Sequence, residues 1–324
     1  MAVCRICGSD GEHTFYVVRE MQFGTRDEFP YFQCADCKCL QLLDIPENPS
    51  KYYPEKYYSF SPIVYHHSSA YERVKKYVRR KIIDHKSSGN SLLGRLLELR
   101  YSDRFVPYWL REQELKVSHD ARILDIGCGN GQRLIDLEAI GFNRLLGIDP
   151  HIRSNIAYPN GIRILKSSVE SMEGRFDFIM LHHSLEHMED QLSVLEKVNS
   201  LLPADHYALV RIPICSYAWE HYGTNWAQID APRHVFLHSE KSISLVAAKA
   251  GFEVVAVIHD SNEFQFWASE QYARDIPLVA ENSYGINPTQ SIFSEAEIES
   301  FKAKAEILNE EHRGDQACIY LRKV

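Results

Sequence analysis

The stretch Ala121-Arg-Ile-Leu-Asp-Ile-Gly-Cys-Gly-Asn-Gly131 constrains this chain more than any other. Ile123, Leu124 and Ile126 predict a short buried strand, and Gly127, Gly129 and Gly131 then turn the backbone where side chains would obstruct it. Leu134, Leu137 and Ile140 recur at helical spacing, and Gly141 is a natural stop just past the helix end. Strand, glycine turn and helix open a nucleotide-binding βαβ unit. The next predicted strand, residues 144–149, ends in Asp149, a carboxylate placed to accept hydrogen bonds from both hydroxyls of a ribose.

Two details bear on which nucleotide fits. A dinucleotide finger needs G-x-G-x-x-G or A, and Gln132 stands where the third small residue belongs. Asp125 precedes the glycines, and a carboxylate there repels a pyrophosphate but suits a cationic ligand with an amino group, such as S-adenosylmethionine. A ligand-free α/β turn is the alternative, against which Asp149 argues as a second acid.

From about Ala121 to Gly251 the chain resembles a class I S-adenosylmethionine-dependent methyltransferase. The resemblance implies an α/β fold, a Rossmann-like sheet with helices on both faces. Phe176–Leu181 corresponds to its fourth strand, and Leu201-Leu-Pro203 with Tyr207–Pro213 to its helix end and fifth strand. Phe252–Ile258 and Gln316–Leu321 are the expected sixth and seventh strands, side by side and antiparallel in the family's pattern. It further implies cofactor contacts at Asp125, Gly127, Cys128, Gly129, Gly131, Asp149, Val169 and His182. The family's acid facing the adenine amine has two candidates here, Ser168 by alignment and Glu170 by charge. A narrower resemblance is to methyltransferases of bacterial polysaccharide and sugar pathways, some of which carry an N-terminal cysteine zinc module. The chain is shorter than the sugar C-methyltransferases of that group and is expected to lack their extra C-terminal domain, which weakens the carry-over of their substrate.

His182-His183-Ser-Leu-Glu186-His187 follows the fourth strand, where the family puts residues beside the reacting methyl group. A hydroxyl loses its proton as it attacks methyl carbon, and a neutral His accepts it near pH 7. His183, His187 and His234 are the candidates, against a role confined to fixing the loop by hydrogen bonds. Asp230 either orients His234 or pairs with Arg233, and Trp219, Tyr222 and Trp226 either stack on a ligand or simply pack. His183-x-x-Glu186-His187 also matches the inverted zinc-peptidase motif, which needs a helix. The helix is expected only from Asp190, on the face of Leu192, Leu195 and Val198. A third reading is a scaffold that binds cofactor without chemistry.

Cys4-x-x-Cys7 and Cys34-x-x-Cys37 predict a structural Zn2+ site in a small zinc ribbon, because two such turns complete a tetrahedron of thiolates. Cys39 competes with Cys37 for the fourth place, His13 is a weaker candidate, and reduced thiols that bind nothing are the alternative. A segment of this size has little core of its own and needs such a staple.

These features divide the chain into a ribbon at 1–45, a Tyr-rich linker and helical segment at 46–118, and the methyltransferase domain at 119–324. Tyr52-Tyr53 and Tyr57-Tyr58 in the linker either pack or form a lid, and the basic run Arg73–Lys81 reads as a solvated helix face. A helical insertion at about 261–315, capped by Ser294-x-x-Glu297, is expected to wall the acceptor site or meet a second copy in a homodimer. A net charge of −8 disfavours nucleic acid as a partner. No apolar run is long enough for a membrane span, and the start MAVCRICG lacks the pattern of a secretory signal. The expectation is a cytoplasmic enzyme with a small-molecule acceptor.

Overall fold

The computed structural model describes residues 2–53, 63, 70–88, 92–101 and 117–324. Tyr57 and Tyr58 of the sequence reading lie outside the described residues. The chain forms two compact units, one made of 1–55, 185–192 and 211–319, the other of 56–184, 193–210 and 320–324. Both the ribbon segment and the C-terminal segment of the sequence reading contribute to the first unit.

In the first unit, β1 (Thr14–Arg19), β2 (Glu28–Gln33) and β3 (Leu40–Leu42) form an antiparallel meander. A fourth strand comes from far along the chain and is introduced below. The alternation in β2 puts Phe29 and Tyr31 on one buried face, Phe32 is buried on the other against His13 and Phe15, and all of β3 is buried.

The second unit begins, among the described residues, with helices α1 (Ala70–Ser88) and α2 (Leu92–Tyr101). The expected βαβ unit follows as β4 (Arg122–Ile126), α3 (Gln132–Ala139) and β5 (Arg144–Ile148). β4 and β5 are parallel, with Asp125 opposite Gly147. Gly141, at φ 118°, closes α3 as expected: its N–H donates to Glu138 O at 3.0 Å and that of Phe142 to Leu137 O at 3.2 Å. That pair of bonds is a Schellman motif, which satisfies carbonyls the helix end would otherwise strand.

Next come β6 (Ile156–Ala157), β7 (Arg163–Leu165), β8 (Phe178–His182), α4 (Gln191–Leu201) and β9 (Tyr207–Pro213). They are followed by α5 (Tyr217–Tyr222), β10 (Phe236–Leu237), α6 (Glu240–Lys249) and β11 (Phe252–His259). The insertion supplies α7 (Phe264–Ala273) and α8 (Glu295–Glu310), and β12 (Gln316–Lys323) ends the chain. The large sheet has the order β11-β12-β9-β8-β4-β5-β7-β6. Parallel pairing of β4 with β5 and β8, and of β5 with β7, brings the carboxyl ends of four strands to one edge, where α/β sheets bind ligands.

β10 completes the small sheet, whose order is β1-β2-β3-β10, with Phe236 opposite Gln41 and Leu237 opposite Leu40. The capping box of α8 forms as read, Ser294 and Glu297 bonding each other's backbone N–H groups. Three of the insertion's aromatic residues are core. Phe266, Trp267 and Tyr272 are buried in two clusters with Ile298, Ala305 and Leu308.

Candidate active site and cysteine centre

The glycine loop is pinned to β5. Gly127 and Cys128 both donate to Ile148 O, at 2.8 and 3.2 Å. Asp149, just past β5, accepts from Gly129 N at 2.9 Å on one carboxylate oxygen and from His151 N at 2.8 Å on the other. Each oxygen keeps a second lone pair for a ribose hydroxyl. Gly127, Gly129 and Gly131 all have left-handed φ, 72°, 55° and 81°. A Cβ at Gly127 would stand 2.4 Å from Ser184 Cβ, and one at Gly131 2.6 Å from Ile164 Cδ1. The glycines therefore serve turn geometry and close packing together, a role the sequence shows only as spacing.

Asp125 is buried in β4 and accepts no hydrogen bond from any described residue. Burial drives its pKa up to about 7; Arg133 pulls it back and Asp149 adds to the rise. A buried carboxyl facing a second acid is stabilised by a cation or a donor at that place, which fits the ammonium end of S-adenosylmethionine. Ser168-Val169-Glu170 follows β7, whose Leu165 O accepts the Asp149 N–H at 3.0 Å. Val169 is buried while Ser168 and Glu170 are exposed, so both polar candidates stay available. His182 ends β8, and Ser184 ties that end to β4 by donating to Ile126 O at 2.8 Å. Between them His183 takes a left-handed φ of 51°, uncommon for a residue with a side chain.

His183 through His187 do not share a helix: β8 ends at His182, a single 3-10 turn spans Leu185–His187, and α4 starts at Gln191. The peptidase geometry of H-x-x-E-H is therefore absent, because it needs both histidines one turn apart on one helix.

In the first unit His187 and His234 pack edge to face, ring centroids 4.6 Å apart. His187 Nδ1 lies 2.9 Å from Arg233 O and His234 Nδ1 2.7 Å from Gln228 O. A carbonyl only accepts, so each Nδ1 carries a proton, and in the neutral ring each Nε2 presents the lone pair. Burial, and then His234, hold the His187 pKa below the ordinary histidine value. Glu186 is wholly buried, with Oε1 4.0 Å from His234 Nε2.

Asp230 pairs with Arg233 and makes no hydrogen bond to His234, whose Nε2 is 3.8 Å away. Arg233 grips both Asp230 oxygens, at 2.9 and 2.5 Å, and reaches Glu20 at 3.1 Å and Tyr52 O at 3.0 Å. Burial alone would raise the Asp230 pKa, but Arg233 outweighs it and the carboxyl stays below its usual range. Glu20, missed by sequence reasoning, also accepts from Phe23 N and Thr25 N at 2.8 and 3.0 Å. The aromatic candidates pack. Trp226 donates to Asp315 at 2.8 Å, Trp219 meets Tyr16 edge to face, and Tyr222 bonds Glu270 at 3.3 Å.

The cysteine pairs converge. Sγ atoms of Cys4 and Cys37, and of Cys7 and Cys34, are 3.5 Å apart, and all four lie within 4.8 Å of one another. A tetrahedron of Zn–S bonds of ~2.3 Å has edges of roughly 3.8 Å, so the set fits zinc. Cys37, and not Cys39, joins the other three; Cys39 Sγ lies 3.8 Å from Leu40 O. Gln41 Nε2 donates to Cys4 Sγ at 2.9 Å. His13 is a strut: its ring nitrogens meet Ser9 O and Ala35 N, at 3.2 and 3.3 Å.

A methyltransferase domain family model matches residues 95–257, half of the chain. The chain belongs to the methyltransferase domain family. A zebrafish (Danio rerio) relative, EEF1A lysine methyltransferase 2, is 29% identical over 169 residues, 49% of this chain and 64% of that protein. The chain thus spans just under two thirds of that methyltransferase. Among solved structures, the cyclopropane synthase MmaA2 from Mycobacterium tuberculosis is 17% identical, covering 65% of this chain and 80% of that one, with a TM-score of 0.42. The 1,6-didemethyltoxoflavin-N1-methyltransferase of Burkholderia thailandensis is 13% identical, with coverages of 82% and 94% and a TM-score of 0.39. Among the described residues, no helix is long and apolar enough to cross a membrane.

Proposed function

We propose that the chain transfers a methyl group from S-adenosylmethionine to a hydroxylated small molecule, a saccharide precursor or sugar nucleotide being the class that the sequence resemblance favours. The observation that carries the cofactor reading is the pairing of buried Asp125 with Asp149 at the carboxyl ends of adjacent parallel strands. Asp149 orients the ribose while holding the loop through Gly129 N, and Asp125 faces the amino end. When bound, S-adenosylmethionine supplies an electrophilic methyl carbon whose bond to sulfur breaks with both electrons going to sulfur. The new bond is oxygen to carbon, and the hydroxyl proton goes to a histidine Nε2. His183, His187 and His234 are the proton acceptors in this reading; at the last two a backbone carbonyl fixes the tautomer. Bound in line, acceptor and sulfonium need little further help.

Cys4, Cys7, Cys34 and Cys37 hold a structural Zn2+, which stands apart from the chemistry. Calorimetry with S-adenosylmethionine tests the main reading: a folded protein that does not bind it, or an Asp149→Ala variant that binds as well as wild type, overturns the assignment. S-adenosylhomocysteine release across a panel of hydroxylated acceptors tests the transfer itself. A second reading, transfer to a protein lysine, has the name of the zebrafish relative in its favour. Turnover with a protein acceptor and none with sugars would choose it.

A further inference from the structure

Glu186, His187 and His234 place a carboxylate oxygen and two imidazole nitrogens within 4.8 Å of one another. Sequence separates them by 47 residues, and Leu185–His187 reaches the loop before β10 through Val235 N, which donates to Glu186 O at 2.8 Å. We propose that these three side chains bind a divalent first-row cation, separately from the cysteine centre.

The tautomers come first. Both Nδ1–H groups are committed to backbone carbonyls, so both Nε2 lone pairs stand ready, the arrangement that orients metal-ligating histidines. Charge comes second. Among the described residues Arg233 pairs with Glu20 and Asp230, while Glu186 offers a wholly buried carboxylate 4.0 Å from His234 Nε2. A carboxylate and two imidazole nitrogens held together away from water are a donor set that a divalent ion takes. Distance comes third. An ion at the centre of a triangle with 4.8 Å sides is ~2.8 Å from each donor. Metal–nitrogen and metal–oxygen bonds are ~2.1 Å, so each side chain closes by roughly 0.7 Å.

Three protein donors leave coordination positions open, as in catalytic rather than structural sites. Gln228 O, 2.7 Å from His234 Nδ1, orients that ring, and Asp230 stays held by Arg233. The tetrathiolate centre selects a soft ion, while nitrogen and carboxylate donors accept Mn2+. With the ion bound, the His187 and His234 Nε2 lone pairs are occupied, which leaves His183 as the proton acceptor of the reading above.

The test uses Mn2+ alone on the purified full chain, followed by electron paramagnetic resonance. About one bound Mn2+ per chain is expected, with imidazole nitrogen modulation in its spin-echo signal. Glu186→Gln should weaken binding at least about tenfold while circular dichroism stays unchanged, and Cys7→Ser should leave it intact. The echo signature needs no variant, so a misfolded Glu186→Gln would not protect the proposal. No Mn2+ bound at about 1 mM, no nitrogen modulation, or equal affinity in a folded Glu186→Gln would overturn it. Each of these outcomes is independent of S-adenosylmethionine binding.

Discussion

The Asp149 carboxylate receives the Gly129 N–H at 2.9 Å, so the acid assigned to the ribose also fixes the turn before it. In the proposed reading, loop shape and ligand contact therefore share one side chain. Asp149→Asn keeps one acceptor oxygen but puts a donor amide against either Gly129 N or His151 N. S-adenosylmethionine affinity should fall at least about tenfold, the ~1.4 kcal/mol lower end for a lost charge-assisted hydrogen bond. Calorimetry on the folded variant measures it, and an unchanged Kd would remove Asp149 from the site.

Asp125 makes the protein pH-sensitive. Its folded pKa, about 7, lies above the carboxylate value of 3.8, so the folded state binds the proton more tightly. The stability this confers is full below pH 3.8 and is lost as pH rises through about 7, on the order of 4 kcal/mol in all. Asp125→Asn should flatten this part of the stability–pH curve in denaturant titrations. Because a bound ammonium favours the ionised form, cofactor affinity should climb between about pH 5.5 and 7, by up to ~10-fold per unit, and stay flat in Asp125→Asn.

His238 works in the opposite direction. It is fully buried between Ser242 Oγ at 2.8 Å and Gln191 Oε1 at 2.7 Å, and burial lowers its pKa to about 4. An unfolded histidine, near 6.5, binds the proton more readily, so stability present above pH 6.5 is lost as pH falls toward 4. The full effect is roughly 3 kcal/mol. His238→Gln should lose some stability at pH 7 and show a shallower acid decline; a decline as steep as wild type would place the titrating group elsewhere.

The two cysteine turns differ at one place. Gly8, after the first, has φ 80°, and Lys38, after the second, has φ 60° with its N–H donating to Cys34 O at 3.1 Å. A side chain in that conformation costs about 1 kcal/mol that glycine does not. Lys38→Gly should hold or raise the melting temperature, whereas Gly8→Ala, with open space at its Cβ, should lower it through backbone strain alone.

Metal removal gives a further check. Chelation should lower the melting temperature by several degrees, since a small sheet loses its staple. Affinity for S-adenosylmethionine should persist. Loss of both together would contradict a purely structural ion.

The glycine loop, its two acids, the cysteine set and the helix cap at Ser294 were legible because each depends on neighbours within a few residues. Long-range partners were not. Glu20 has no local signature, and only the fold brings it to Arg233, 213 positions away. Cys37 and Cys39 are equivalent as spacing and differ only in which way each thiol points once β3 pairs with β2. Phe266 and Tyr272 read as a possible wall because a helix buried on nearly every face has no polar side to reveal it. The pairing of Glu186 with His234 needed the β10 connection, two residues too short to register as a strand.

Phe236 and Leu237 give the small sheet its last strand, closing the side of fully buried β3. A fragment ending at residue 45 would carry all four thiols yet present that row of backbone groups and Leu side chains bare. Such a peptide should self-associate even when loaded with zinc. The cysteine module is thus stitched into its host rather than appended to it, and exchanging it between homologues would require the β10 segment to travel with it.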